Sequence, residues 1–185
     1  MRPGQRETLC MLRRFSIVTF VGPTGLGKST IAIALACAAA ARGRFTVYVV
    51  PLLALQRSLQ KKFADDGFDV VCGTERGEVE RIRRRSTLTS VASSGAGSTT
   101  KTVWIVTSDA FGSVVVAPMP SAAVHSQQLG AIILDEGACV VESLSYRPAM
   151  WSVGRTLRAI VNAPFDAARA TGGSMPPTQL LVENT

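Results

Sequence analysis

The stretch Ile17-Val18-Thr19-Phe20-Val21-Gly22-Pro23-Thr24-Gly25-Leu26-Gly27-Lys28-Ser29 decides the fold. Its first five residues are β-branched or aromatic and read as a short buried strand. Glycines at 22, 25 and 27 then break any regular element. From Lys28 to Ala41 the alanine-rich chain favours helix, and Gly43 ends it. Residues Gly22 to Ser29 match G-x-x-x-x-G-K-[ST] at every specified position. Average residue usage would produce such a match in roughly one chain of this length in a hundred. The flanking strand and helix make chance a poorer account still.

The spacing has a chemical reason. Triphosphate oxygens must lie against consecutive backbone N–H groups, and a Cβ at Gly25 or Gly27 would obstruct them. The loop opens a helix, so the positive end of the helix dipole faces the anion. Lys28 supplies a mobile positive charge for the β- and γ-phosphates, and the Ser29 hydroxyl is placed to coordinate Mg²⁺. Gly22, Pro23, Thr24, Gly25, Leu26, Gly27, Lys28, Ser29 and Thr30 are the expected nucleotide-binding residues.

Outward from the loop, helix and strand alternate. Arg2 to Arg14 has helical spacing of Leu9 and Leu12. Thr46 to Val50 reads as a strand stopped by Pro51, and Leu52 to Ala64 as an amphipathic helix with Leu52, Leu55, Leu59 and Phe63 on one face. Asp69 to Cys72, Thr102 to Val106, Gly130 to Leu134 and Gln179 to Val182 are further strands, and Pro148 to Val161 a helix begun by proline. This alternation predicts an α/β fold with a parallel sheet covered by helices on both faces. Glu75 to Arg85 is a highly charged helix or loop. Residues 86–100 and 163–177 read as flexible insertions in a single domain spanning residues 1–185.

The Gly130–Leu134 run ends in Asp135-Glu136, where a parallel sheet binds its ligands. Asp135 would assist the metal, and Glu136 would polarise an attacking water as general base. Lys28, Asp135 and Glu136 are therefore the candidate catalytic groups, with Ser29 and Asp135 on Mg²⁺.

Composition bounds the alternatives. The 185 residues suffice for one core, and 46% hydrophobic against 18% charged residues rules out a disordered chain. Neither an apolar run of membrane-spanning length nor a signal-peptide core occurs, so an intracellular protein is expected, nuclear in a eukaryote and cytoplasmic otherwise. The four cysteines show no CxxC pair and His125 is the sole histidine, which excludes zinc-finger spacing and HExxH chemistry. A formal net charge of +7 suits an anionic partner or an ordinary basic surface. Arg76, Arg81, Arg83, Arg84 and Arg85 could track phosphates, though Glu75, Glu78 and Glu80 among them equally suit a solvated helix. Lys61 and Lys62 read as solubilising, and Trp104 and Trp151 as packing residues.

Arg2-Pro3-Gly4-Gln5, the phosphate loop, Pro51-Leu52-Leu53-Ala54-Leu55, Val106-Thr107, Asp135-Glu136 and Arg147-Pro148 follow the order seen in RecQ-like helicases. The chain resembles the first RecA-like motor domain of that DEAD/DEAH-box-related family. The resemblance implies a three-layer P-loop NTPase fold with a mostly parallel sheet, ATP and Mg²⁺ as cofactors, and 3′-to-5′ unwinding of DNA, single-stranded or forked. It gives Gln5 the reading of adenine, since an amide both donates and accepts. Gln56, Thr107 and Ser108 would contact nucleic acid, Tyr146 would stack on a base, and Arg147 would couple DNA contact to hydrolysis.

The chain departs from the family at three places. Asp-Glu-Ala-His becomes Asp135-Glu136-Gly137-Ala138, the aromatic-rich loop becomes Ser143-Leu144-Ser145-Tyr146, and of the Ser/Thr-Ala-Thr signature only Thr185 remains. A second motor domain, with its arginine finger worth about 10³-fold or more in rate, is absent from these residues. Weak turnover is therefore expected from a fragment or degenerate copy. The rival readings are a small-molecule P-loop kinase and a non-catalytic ATP- or nucleic-acid-binding remnant.

Overall fold

A computed structural model describes residues 2–23, 25–72, 101–112, 128–142, 149–171 and 178–184. Within them the order is α1 (Pro3–Leu12), β1 (Ile17–Val21), α2 (Lys28–Ala40), β2 (Phe45–Val50), α3 (Leu53–Asp65), β3 (Asp69–Cys72) and β4 (Thr102–Thr107). There follow α4 (Ser108–Phe111), β5 (Leu129–Asp135), α5 (Gly137–Glu142), α6 (Ala149–Thr171) and β6 (Gln179–Asn184). Six strands form one sheet in the order β1-β6-β5-β2-β4-β3, and every described pairing is parallel.

Alternation along the central strands builds two cores. Val47, Val49, Trp104, Val106, Ile132 and Leu134 face α4 and α6, where Phe111, Met150, Val153 and Ile160 meet them. Tyr48, Val50, Val103, Ile105, Ile133 and Leu181 face the other way, onto α2 and α3 through Ile31, Leu35, Ala36 and Phe63. Helices thus cover both faces, as the near-continuous apolar strands require. The small side chains of α2 let it lie close to the sheet. A Cβ at Gly130 would sit 2.6 Å from the Ala39 Cβ, so a glycine on β5 admits that approach.

α3 ends in a left-handed Gly67, φ +78°. The Phe68 N–H returns to the Phe63 carbonyl at 3.0 Å and the Gly67 N–H to Ala64 at 3.0 Å, which satisfies two of the helix's terminal carbonyls. The rings of Phe63 and Phe68 meet edge-on at 5.2 Å.

Several expectations need correction. On α3 the buried line is Gln56 and Phe63 with Leu59 half-buried, whereas Leu52 and Leu55 are exposed. Apolar spacing in the first turn therefore does not meet a core, and its buried position goes to the Gln56 amide bonded to the Ile105 carbonyl. The irregular segment expected over 163–177 is helical as far as Thr171. Pro164 removes one helical hydrogen bond, but Ala167, Ala168 and Ala170 favour helix and the preceding turns are anchored by Met150, Val153 and Ile160. Trp151, expected to be a packing residue, is 62% exposed. Trp104 is buried, as its place in a strand predicted. The segments 75–85 and 86–100, together with Thr24, His125, Tyr146 and Arg147, lie outside the described residues.

Candidate nucleotide site

Gly25 and Gly27 carry φ of +81° and +86°, conformations that side chains disfavour. Gly27 is the N-cap of α2, and no side chain among the described residues caps that helix. The Thr30 N–H returns to the Gly27 carbonyl at 3.0 Å, and the Lys28 and Ser29 N–H groups stand at the positive end of the dipole, where an anion is favoured.

The loop is held from behind by α1. The Gln5 amide donates both hydrogens, to the carbonyls of Leu26 and Gly27, each at 3.1 Å. Its Oε1 accepts the Arg2 N–H at 2.8 Å, and the Arg2 guanidinium donates to the Gly25 carbonyl at 3.2 Å. A Cβ at Gly27 would fall 2.2 Å from Gln5 Nε2, so glycine is needed there for contact as well as for conformation. Gln5 is buried, and in this arrangement it has no N–H left for a base. Here it braces the loop, and the adenine reading expected of it would require those bonds to be exchanged for bonds to the base.

Across the strand ends, Lys28 Nζ lies 3.2 Å from Glu136 Oε1 in a largely enclosed ion pair. Glu136 itself sits at φ +48°, a left-handed conformation that costs a non-glycine residue roughly 1–2 kcal/mol. Such strain is typical of positions where a side chain is held for function. Beside it, burial raises the Asp135 carboxyl above the usual range, the Glu136 charge adds to that, and Lys28 opposes it.

Three contacts here had no signal in the sequence. Lys62, read as solubilising, extends from α3 to the Ser29 hydroxyl. Glu183, on β6 in register with Asp135, is fully buried and accepts a 2.9 Å hydrogen bond from the Tyr48 hydroxyl. Burial pushes its carboxyl up to about 7, against the opposing Tyr48 hydrogen bond. Asn184 joins the two motifs: its carbonyl accepts the Gly22 N–H at 3.1 Å, and its Oδ1 accepts the Ala138 N–H at 2.8 Å. A Cβ at Gly137 would lie 2.4 Å from Val182 Cγ1, which explains a glycine after the acidic pair. The Lys62 contact depends on how α3 packs beside α2, and the other two on strand register; local spacing encodes neither.

The expected nucleic-acid contacts fare differently. Gln56 is buried and its amide donates to the Ile105 carbonyl at 2.9 Å. Ser108 is buried and donates to the Val50 carbonyl at 3.2 Å. In this arrangement Gln56 braces α3 to β4 and Ser108 braces α4 to β2, so neither presents its polar group at the surface as a nucleic-acid contact would require. Thr107 is half-buried at the N-cap of α4, where its hydroxyl accepts the Ala110 N–H.

The donors around the loop suit Mg²⁺. Hydroxyl and carboxylate oxygens are hard ligands, and this ion keeps several waters and is held by one or two carboxylates together with substrate phosphates. No group of three or more His, Cys, Asp or Glu among the described residues could hold a metal unaided. An oxygen of Glu183, Oε1, is buried without a hydrogen-bond partner, a vacant acceptor in the same neighbourhood.

No helix among the described residues is long and apolar enough to cross a membrane. No curated protein matches the chain. A family model for the DEAD/DEAH box helicase matches residues 2–173. That span holds the loop, its α1 brace and the acidic strand end, and the parallel sheet between helices is the RecA-like architecture of this domain. The chain belongs to the DEAD/DEAH box helicase family.

Proposed function

We propose that this ATP-binding helicase domain is the first motor domain of a RecQ-type enzyme that translocates 3′ to 5′ on DNA. The observation that carries the reading is the pairing of Lys28 with Glu136 at 3.2 Å, 108 residues apart in sequence. It joins a phosphate-binding ammonium to a carboxylate able to take a proton from water, at the edge where parallel strands present their ligands. The order of Arg2–Gln5, the loop and Asp135-Glu136 supports the RecQ-type assignment.

The residues divide the work. Loop N–H groups and Lys28 bind the β- and γ-phosphates, with α1 holding the loop in shape through Arg2 and Gln5. Ser29 and Asp135 would hold Mg²⁺, which neutralises phosphate charge when bound. Before nucleotide arrives, Lys28 neutralises Glu136. Phosphate would draw Lys28 away from Glu136, whose carboxylate could then accept a proton from water, so substrate binding switches the base on.

The test is calorimetric ATP binding followed by hydrolysis with and without single-stranded DNA. Lys28→Ala is expected to lose binding at least about tenfold, and Glu136→Gln to keep binding while losing hydrolysis. Salt-dependent binding of single-stranded or forked DNA, in preference to RNA of the same sequence, is expected alongside. ATP binding without nucleic-acid binding would favour a non-motor remnant, a reading that the burial of Gln56 and Ser108 favours. Phosphorylation of a small acceptor would favour a kinase.

A further inference from the structure

Glu183 is 0% exposed, and it is a carboxylate. Tyr48 satisfies Oε2 at 2.9 Å, while Oε1 has no hydrogen-bond partner. Taking an acceptor out of water without a donor is costly, and for a charged one more so. In the metal-free chain a proton can relieve that cost; once the carboxyl is ionised, Oε1 is left for a donor from outside the folded chain.

Its position says which group. β6 lies between β1 and β5, and Glu183 is in register with Phe20 on one side and Asp135 on the other. Leu181 and Ile133 point into the core beneath α2. Two residues further along each strand, Glu183 and Asp135 share that face. The charges of Asp135, Lys28 and Glu136 all act on Glu183. Three carboxylates thus stand near the start of α2 against Lys28 and, at the Ser29 hydroxyl, Lys62, and a cation would balance the remaining negative charge.

We infer that Glu183 is a metal-positioning residue whose Oε1 accepts a hydrogen bond from a water of the divalent cation that accompanies the nucleotide. The contact runs through water because the carboxylates are not spaced to enclose a bare ion, and Mg²⁺ gives up its hydration reluctantly. Tyr48 fixes the carboxylate's orientation by holding its other oxygen. Partners of this outer kind govern metal affinity without touching the metal. The inference rests on the nucleotide-binding reading above.

The experiment measures ATP affinity by calorimetry in Mg²⁺ and again in EDTA, for the wild type, Glu183→Gln and Glu183→Asp. The glutamine keeps an acceptor for Tyr48 but turns an N–H₂ donor toward the metal's water. The aspartate keeps the charge and shortens the reach. The gain in affinity that Mg²⁺ confers is expected to fall about tenfold in Glu183→Gln and several-fold in Glu183→Asp, with affinity in EDTA unchanged or higher. An undiminished gain in the variants overturns the inference, and so does an equal loss with and without metal, which marks a packing role. Should Glu183→Gln fail to fold, Glu183→Asp decides alone. A wild type that binds no ATP in either condition overturns the inference together with the nucleotide reading, whereas metal-enhanced binding retained in the variants overturns the inference only.

Discussion

Both hydrogens of the Gln5 amide go to loop carbonyls, and that arithmetic separates two roles for one residue. A base reader changes the ratio of ATP to GTP affinity when truncated; a brace changes both together. Two hydrogen bonds of about 1 kcal/mol each place the expected loss in Gln5→Ala at up to about thirtyfold for both nucleotides. Titration calorimetry with the two triphosphates checks it, and a selective loss of ATP would restore adenine reading. Glu183 makes a second prediction, on the metal-free protein. Burial moves its carboxyl from 4.5 to about 7, so between those values the folded chain holds a proton that the unfolded chain has released. Its contribution is then most favourable at low pH and is lost as pH rises through about 7, on the order of 3 kcal/mol in all. Asp135, also raised, acts in the same direction, and the charges facing Glu183 are those of Asp135, Glu136 and Lys28, with Tyr48 bonded to it. Thermal unfolding from pH 5 to 8 should show Glu183→Gln gaining on the wild type as pH rises; a constant difference would contradict the assignment. The phosphate loop was legible because its chemistry demands glycine at fixed offsets. Glu183 was not, because a lone acid near the end of a strand acquires meaning only from the strands beside it.

At the scale of elements, α3 shows where periodicity succeeds and where it misleads. A helix was readable over 52–64, and Phe63 does meet the core. The leucines at its start are exposed, and the buried position in that turn belongs to a glutamine. Gln56 is tolerated there because its amide bonds the Ile105 carbonyl, and a satisfied amide is no worse inside than many apolar groups. Gln56→Ala deletes the donor and leaves a cavity, so a loss of about 1–3 kcal/mol in stability is expected from chemical denaturation. Its nucleic-acid affinity at a given salt should match the wild type; a lower affinity with an unchanged salt slope would reinstate Gln56 as a neutral phosphate contact. α6 carries the complementary lesson. Proline and glycine over 163–177 suggested a break, yet the helix runs through Pro164 to Thr171. One lost hydrogen bond did not outweigh a helix already anchored by Met150, Val153 and Ile160.

For the whole molecule, the decisive arrangement is the insertion of the last strand between β1 and β5. Sequence showed alternating strands and helices, hence a parallel sheet, but not that order, since pairing between distant strands leaves no local trace. The order sets the phosphate loop after β1 and the acidic pair after β5 on either side of β6, and Asn184 ends that strand between them. Its carbonyl takes the Gly22 N–H and its side chain takes the Ala138 N–H, so one residue touches both halves of the site. A ligand that orders the loop should therefore steady the start of α5 as well. Amide hydrogen exchange can follow the two places separately. Adding Mg²⁺ and ATP to the wild type is expected to slow exchange at loop amides and, through Asn184, at Ala138. In Asn184→Ala the side-chain acceptor is gone while the backbone carbonyl remains, so loop protection should persist and protection at Ala138 should fall to its nucleotide-free level. Ala138 protection surviving in that variant would mean that the acidic pair senses nucleotide by another route, with the Lys28–Glu136 contact the next to test.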